Sequence, residues 1–187
     1  MAEQKMNGFR ARLDYALKHN NFLYRVFNVT ISTFFKVWGL FVKQDEHMVI
    51  FSAHSRKYND SPKAIYEYML QTQKFHNFKL VWALEDVNMV IPGNPIIVKS
   101  DTPKYFWYTL KAKYWITCVN IERSLHYKKK GCVYLNTWHG LSINHCGNAV
   151  PGRNDFDFSA VDYMCYESDY HKEILMRDFL AKEESMI

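Results

Sequence analysis

The sequence is short of the residues that build special architectures. Its four cysteines (Cys118, Cys132, Cys146 and Cys165) form no CxxC pair and no framework spacing. That excludes a disulfide scaffold and fits a reducing compartment. Seven glycines and five prolines among 187 residues are too few for a collagen-like or low-complexity chain. The first twenty residues have no continuous apolar core and no small-residue cleavage site, so no signal peptide is expected. The longest apolar stretch, residues 22–42, is broken by Arg25 and Lys36. A charge near the centre of a membrane span costs about 2.5–3.5 kcal/mol on insertion scales, which argues against a crossing. No GxGxxG, Walker A, GxSxG or HExxH motif is present.

What is present fits a folded domain. Hydrophobic residues make up 48% and charged residues 23%, which excludes a disordered chain. A chain of this length buries roughly 70% of its unfolded surface, enough for a core without metals or disulfides. The net charge of +5 is unevenly placed. Residues 1–43 hold seven of the 24 Lys and Arg and two of the 19 acids, while residues 44–187 hold seventeen of each. The globular part is therefore neutral, which argues against nucleic acid as a partner.

The basic segment has helical periodicity. Phe9, Leu13, Ala16 and Leu17 share one face of a first helix. In a second helix, over 22–42, Leu23, Phe27, Ile31, Phe34, Trp38 and Phe41 form an apolar stripe. Arg25, Asn28, Ser32, Lys36 and Lys43 form an opposing polar one. Such a helix suits a membrane interface, with Arg25, Phe27, Phe34, Lys36, Trp38 and Phe41 as the contacting residues. Packing on its own domain or on a partner is the competing reading. Residues 1–43 are thus expected to be a membrane-associating segment and 44–187 a Rossmann-like domain.

From residue 48 short apolar runs alternate with helical stretches. Strands are expected at Met48–Ala53, Phe78–Leu84, Ile96–Lys99, Tyr114–Val119, Cys132–Thr137 and Tyr163–Tyr166. Helices are expected to start at Ser61-Pro62, Thr102-Pro103 and Ser168, each with a capping hydroxyl. The alternation predicts an α/β fold with a mostly parallel sheet and helices on both faces. Ligands in such sheets sit at the carboxyl ends of the strands. His139, in Thr137-Trp138-His139-Gly140 directly after a strand, lies there, and a histidine can take a proton near neutral pH. Gly140 permits close approach or a positive φ. His54-Ser55-Arg56-Lys57 follows the first strand, and Arg56 and Lys57 suit an anionic substrate. His139, His145 and Cys146 have no second ligand pair at fixed spacing, so no metal is expected. Arg153 and Lys128-Lys129-Lys130 read as solvated turns.

As a set these residues resemble the CDP-glycerol glycerophosphotransferase family, the teichoic acid and capsule polymer enzymes. The family's hallmark is Thr-Trp-His-Gly-Thr-Pro after a strand. Thr137, Trp138, His139 and Gly140 match it, while Leu141 and Ser142 replace Thr-Pro. Residues 56–63 with Ile65-Tyr66-Glu67-Tyr68, then Lys111-Ala112-Lys113-Tyr114, residues 157–163 and Ser168-x-Tyr170-x-x-Glu173 add to the likeness. The resemblance implies the N-terminal half of a GT-B-type fold. It implies transfer of glycerol or ribitol phosphate from a CDP-glycerol or CDP-ribitol donor to a polyol-phosphate or lipid-linked glycan acceptor. The setting it implies is peripheral, at the cytoplasmic face of the membrane. His139 would be the catalytic base, and Trp138, Gly140, Ser142, Arg56 and Lys57 would bind substrate. No cofactor is implied. The chain stops at Ile187, where the family continues into a donor-binding half. A partial, acceptor-side enzyme is therefore expected, the alternative being a non-catalytic module that binds membrane or a partner.

Overall fold

The computed structural model describes residues 20–140, 145–151, 153 and 155–187. The helix expected around Phe9–Leu17 lies outside the described residues. The first described element is α1, Asn21–Phe41, capped by the Asn20 side chain, which accepts from the Phe22 and Leu23 amides at 3.1 and 3.0 Å. Strand β1 (Asp45–Ser52) leads through a short 3-10 turn at His54–Arg56 to α2 (Asp60–Gln71). Then come β2 (Lys79–Leu84), β3 (Ile96–Lys99), α3 (Pro103–Lys111), β4 (Ala112–Thr117) and β5 (Val133–Asn136). The short β6 (Tyr163–Met164) and α4 (Asp169–Phe179) complete the order.

The six strands form one sheet in the order β3-β2-β1-β4-β5-β6, and every pairing is parallel. Because side chains alternate across a strand, β1 feeds two cores. Met48 and Ile50 enter one with residues of α1, α3 and α4; Val49 and Phe51 enter the other with Tyr66 and Met69 of α2. Helices therefore cover both faces, as the alternation predicts.

Two features depart from the simple pattern. Among the described residues the connections from β2 to β3, β4 to β5 and β5 to β6 contain no α-helix. Between β4 and β5 the place of a crossover helix is taken by α1, which lays Phe35 on Phe106 and Tyr127 at ring separations of 4.4 and 5.1 Å. The second departure is at α2. Ser61 is not its cap. The N-cap position is Asn59, with no side-chain cap bond, and Asp60, the first helical residue at φ 61°, accepts the Ser61 amide at 2.8 Å. The caps of α3 and α4 are as expected: Thr102 Oγ1 accepts from Tyr105 at 3.3 Å and Ser168 Oγ from His171 at 3.2 Å.

Helix α1 differs from its expected two-stripe form. Asn28 and Ser32 turn inward: the Asn28 amide donates to the Ser124 carbonyl at 2.5 Å, and Ser32 Oγ accepts the His126 amide at 2.9 Å. Phe35, Gly39 and Val42 continue this buried face. Trp38, expected among the membrane contacts, is half-buried and stacked on Phe35 at 5.8 Å. The outer arc stays apolar, with Phe22, Phe34, Leu40 and Phe41 at 74, 59, 82 and 82% exposure and Phe27 also exposed. Arg25 and Lys36 lie on one rim of that arc, both exposed. No helix among the described residues is long and apolar enough to cross a membrane.

Candidate active site

The strand ends gather at one edge of the sheet, and there the backbone is strained. Nine described non-glycine residues have positive φ. Seven of them lie at this edge: Ser55, Arg56 and Asp60 after β1, Asp101 after β3, Arg123 and Ser124 after β4, and Trp138 after β5. Left-handed backbone costs of order 1–3 kcal/mol per residue, and such residues cluster where function over-determines geometry.

Asn136, the last residue of β5, builds the turn that carries the histidine. Its buried side chain accepts the Trp138 amide at 2.9 Å and donates to the Val119 carbonyl at 3.0 Å. The Thr137 amide donates to Thr117 at 2.8 Å. These bonds hold Trp138 at φ 56°, with its indole against Phe179 and Phe158 at 4.6 and 5.8 Å. His139 is thereby turned out of the core, its imidazole stacked on Trp138 at 4.5 Å. Gly140 follows at φ 115° with no atom of the described residues within 4 Å of where a Cβ would stand, so the backbone angle calls for glycine.

His54, at the end of β1, faces His139 at 4.9 Å between ring centroids. Partial desolvation lowers the pKa of His139, its own backbone raises it, and His54 lowers it further. A lowered pKa favours the free imidazole at neutral pH, the form that accepts a proton. Behind this pair, Cys118 Sγ lies 3.6 Å from Asp60 Oδ2.

The structure gathers some of the expected residues and separates others. Trp138, His139 and Gly140 form one turn. Arg56 lies at the same edge, half-buried and paired with Asp101 at 2.7 Å. Lys57 is exposed, and Ser142 falls outside the described residues. Arg153, read as part of a solvated turn, forms a two-pronged pair with Asp155 at 2.5 and 2.8 Å. Lys128 is bound to Asp162 at 2.6 Å, and Lys129 donates to the Val42 carbonyl. His54 as the neighbour of His139 escaped the sequence reading, as did Arg123, which reaches Asp101 at 2.9 Å. The only prior signal for either was its position after a strand. Among the described residues no group of three or more His, Cys, Asp and Glu is placed to hold a metal ion.

A profile of the family described as CDP-Glycerol:Poly(glycerophosphate) glycerophosphotransferase matches residues 33–187. The chain is 25% identical over 183 residues to a teichoic acid poly(glycerol phosphate) polymerase of Bacillus spizizenii, covering 89% of this chain and 45% of that protein. It is 29% identical over 155 residues to a polymerase of the same description from Staphylococcus epidermidis, covering 75% of this chain and 21% of the relative. Among solved structures, the wall teichoic acid polymerase TagF soaked with CDPG is similar at a TM-score of 0.67 and 25% identity, over 88% of this chain and 45% of that one. The chain thus spans about half the length of the first of these relatives and about a fifth of the second.

Proposed function

Because the chain belongs to the CDP-glycerol:poly(glycerophosphate) glycerophosphotransferase family, we propose that it forms the acceptor-side half of an enzyme that moves glycerol phosphate, or ribitol phosphate, from a CDP-activated donor to a teichoic-acid-like polymer. The observation that carries this reading is His139, stacked on Trp138 and lowered in pKa at the carboxyl edge of the sheet. The free imidazole takes the proton of an acceptor hydroxyl. The hydroxyl oxygen then bonds to the donor's β-phosphorus while the bond from that phosphorus to CMP breaks, and CMP leaves. Trp138 holds the imidazole plane, and Arg56 and Lys57 supply positive charge for an anionic substrate. The donor site belongs to the second half that the resemblance implies.

The outer arc of α1 supports peripheral attachment to the cytoplasmic leaflet. Phe27, Phe34 and Phe41 would enter the interface, with Arg25 and Lys36 at the anionic headgroups. The same arc favours a second reading, a membrane- or partner-binding module without turnover.

The experiment is CDP-glycerol-dependent CMP release by this half supplied with a donor-binding half. A folded His139→Ala variant should lose about 100-fold or more, the usual weight of a general base. Unchanged turnover removes His139 from the chemistry, and no release from the wild-type assembly favours the module.

A further inference from the structure

A second group of side chains meets at the carboxyl edge where the strand order reverses between β1 and β4, the place at which parallel sheets bind ligands. Ser52, Ser55 and Arg56 after β1, Ser100 after β3, and Asn120 and Arg123 after β4 line a cavity of about 70 Å³. That is several times the space one water needs and far below the roughly 300–1,000 Å³ of a pocket for a whole small molecule. It fits one small group.

The chemistry of the lining says which group. Asp101 accepts from Arg56 Nη2 at 2.7 Å and is ion-paired with Arg123 Nε at 2.9 Å, so one carboxylate pairs with two guanidinium groups. The carboxylate does this from outside, since Asp101 lines the neighbouring groove with Pro103 and Phe106. Two cations against one anion leave the cavity positive. Each guanidinium has five N–H donors, so both keep donors beyond the bond to Asp101. The decisive atom is Ser100 Oγ. Ser100 is 6% exposed and its hydroxyl has no hydrogen-bond partner among the described residues, although its amide is bound to Leu84 at 2.8 Å. A buried hydroxyl without a partner is uncommon and calls for a missing one. The neighbouring Asn120 side chain is engaged with the Ser124 amide and hydroxyl at 3.1 and 3.2 Å.

We propose that this cavity is a phosphate subsite: the Arg56 and Arg123 guanidinium groups bind two oxygens of a tetrahedral phosphate and Ser100 Oγ donates to a third. A tetrahedral phosphate offers each of these three donor groups its own oxygen in a different direction, where a planar carboxylate would have to share two oxygens in one plane. Which molecule carries the phosphate, polymer acceptor or nucleotide donor, rests on the glycerophosphotransfer reading. The pocket itself is tested without it.

The test is calorimetric titration of the full 187-residue chain with inorganic phosphate and with glycerol 3-phosphate. Saturable binding is expected, weakened about tenfold or more in Arg123→Gln. Ser100→Ala separates binding from folding. It removes a hydroxyl that bonds to none of the described residues, so the thermal midpoint should hold while affinity falls about tenfold. No saturable binding of either anion overturns the proposal, as does binding that both variants leave unchanged. Competition by a glycerol phosphate oligomer but not by CDP-glycerol assigns the phosphate to the acceptor, and the converse assigns it to the donor. If neither competitor displaces glycerol 3-phosphate, the glycerophosphotransfer reading of this site falls, separately from the phosphate pocket. CMP release has no part in any of these readouts.

Discussion

His139 and Glu122 are both shifted by burial, with opposite consequences. The His139 pKa is lowered from 6.5, so its proton-accepting form is already dominant at neutral pH. The rate of glycerophosphate transfer should therefore stay flat from pH 7 upward and fall on an acidic limb with its midpoint below 6.5. A pH–rate profile reads this directly, and a midpoint above 7 would contradict it. Glu122 lies buried in the β4–β5 connection, and desolvation, with Asp157 and Asp162 nearby, pushes it up to about 8 against the pull of Lys128. One of its oxygens has no hydrogen-bond partner among the described residues. An unfolded glutamate ionises near 4.5, so the folded state gives up stability as pH rises from about 4.5 through 8. Glu122→Gln should match the wild type at pH 4.5. At pH 8.5 it should be more stable by about 2–4 kcal/mol, roughly 5–10 °C in melting temperature. The position of His139 was legible because a strand followed by Trp-His-Gly puts the histidine at a strand end. His54, Ser100 and Arg123 were not legible as partners, because their meeting depends on strand order, which no local pattern encodes.

The helix α1 carries two kinds of phenylalanine, and they should respond differently to substitution. Phe35 is 7% exposed between Phe106, Tyr127 and Trp38. Phe35→Ala should cost about 3–5 kcal/mol in urea unfolding, the usual range for a buried aromatic. Phe41 is 82% exposed. Phe41→Ser should change stability by less than about 0.5 kcal/mol yet reduce co-sedimentation with anionic liposomes, and more so combined with Phe34→Ser. Equal liposome binding by that double variant would remove the helix as an anchor. Periodicity gave the existence of the helix almost to the residue. It misjudged which polar residues face water, because Asn28 and Ser32 are polar for the sake of Ser124 and His126, about a hundred residues away in the chain. A hydrogen-bonding partner so remote leaves no mark on local hydropathy.

At the scale of the molecule, all six strands and their parallel sense were readable from short apolar runs between helix starts. The crossover helices α2 and α3 return the chain so that the strands they join run the same way, and the remaining connections do so without an α-helix among the described residues. Unreadable was the substitution of α1 for a crossover helix between β4 and β5, since the chain enters that layer from its N-terminal side. This substitution sets a direction. The first half of α1, through Asn28 and Ser32, is tied to residues 124–126, and its end meets Lys129 and the beginning of β1. The helix therefore runs opposite to the strands over roughly 30 Å. If the outer arc of α1 lies flat on a bilayer, the strands lie flat above it. The histidine edge then opens sideways, like a drawer pulled out along a tabletop, and the acceptor end would slide in parallel to the lipid surface instead of rising from it.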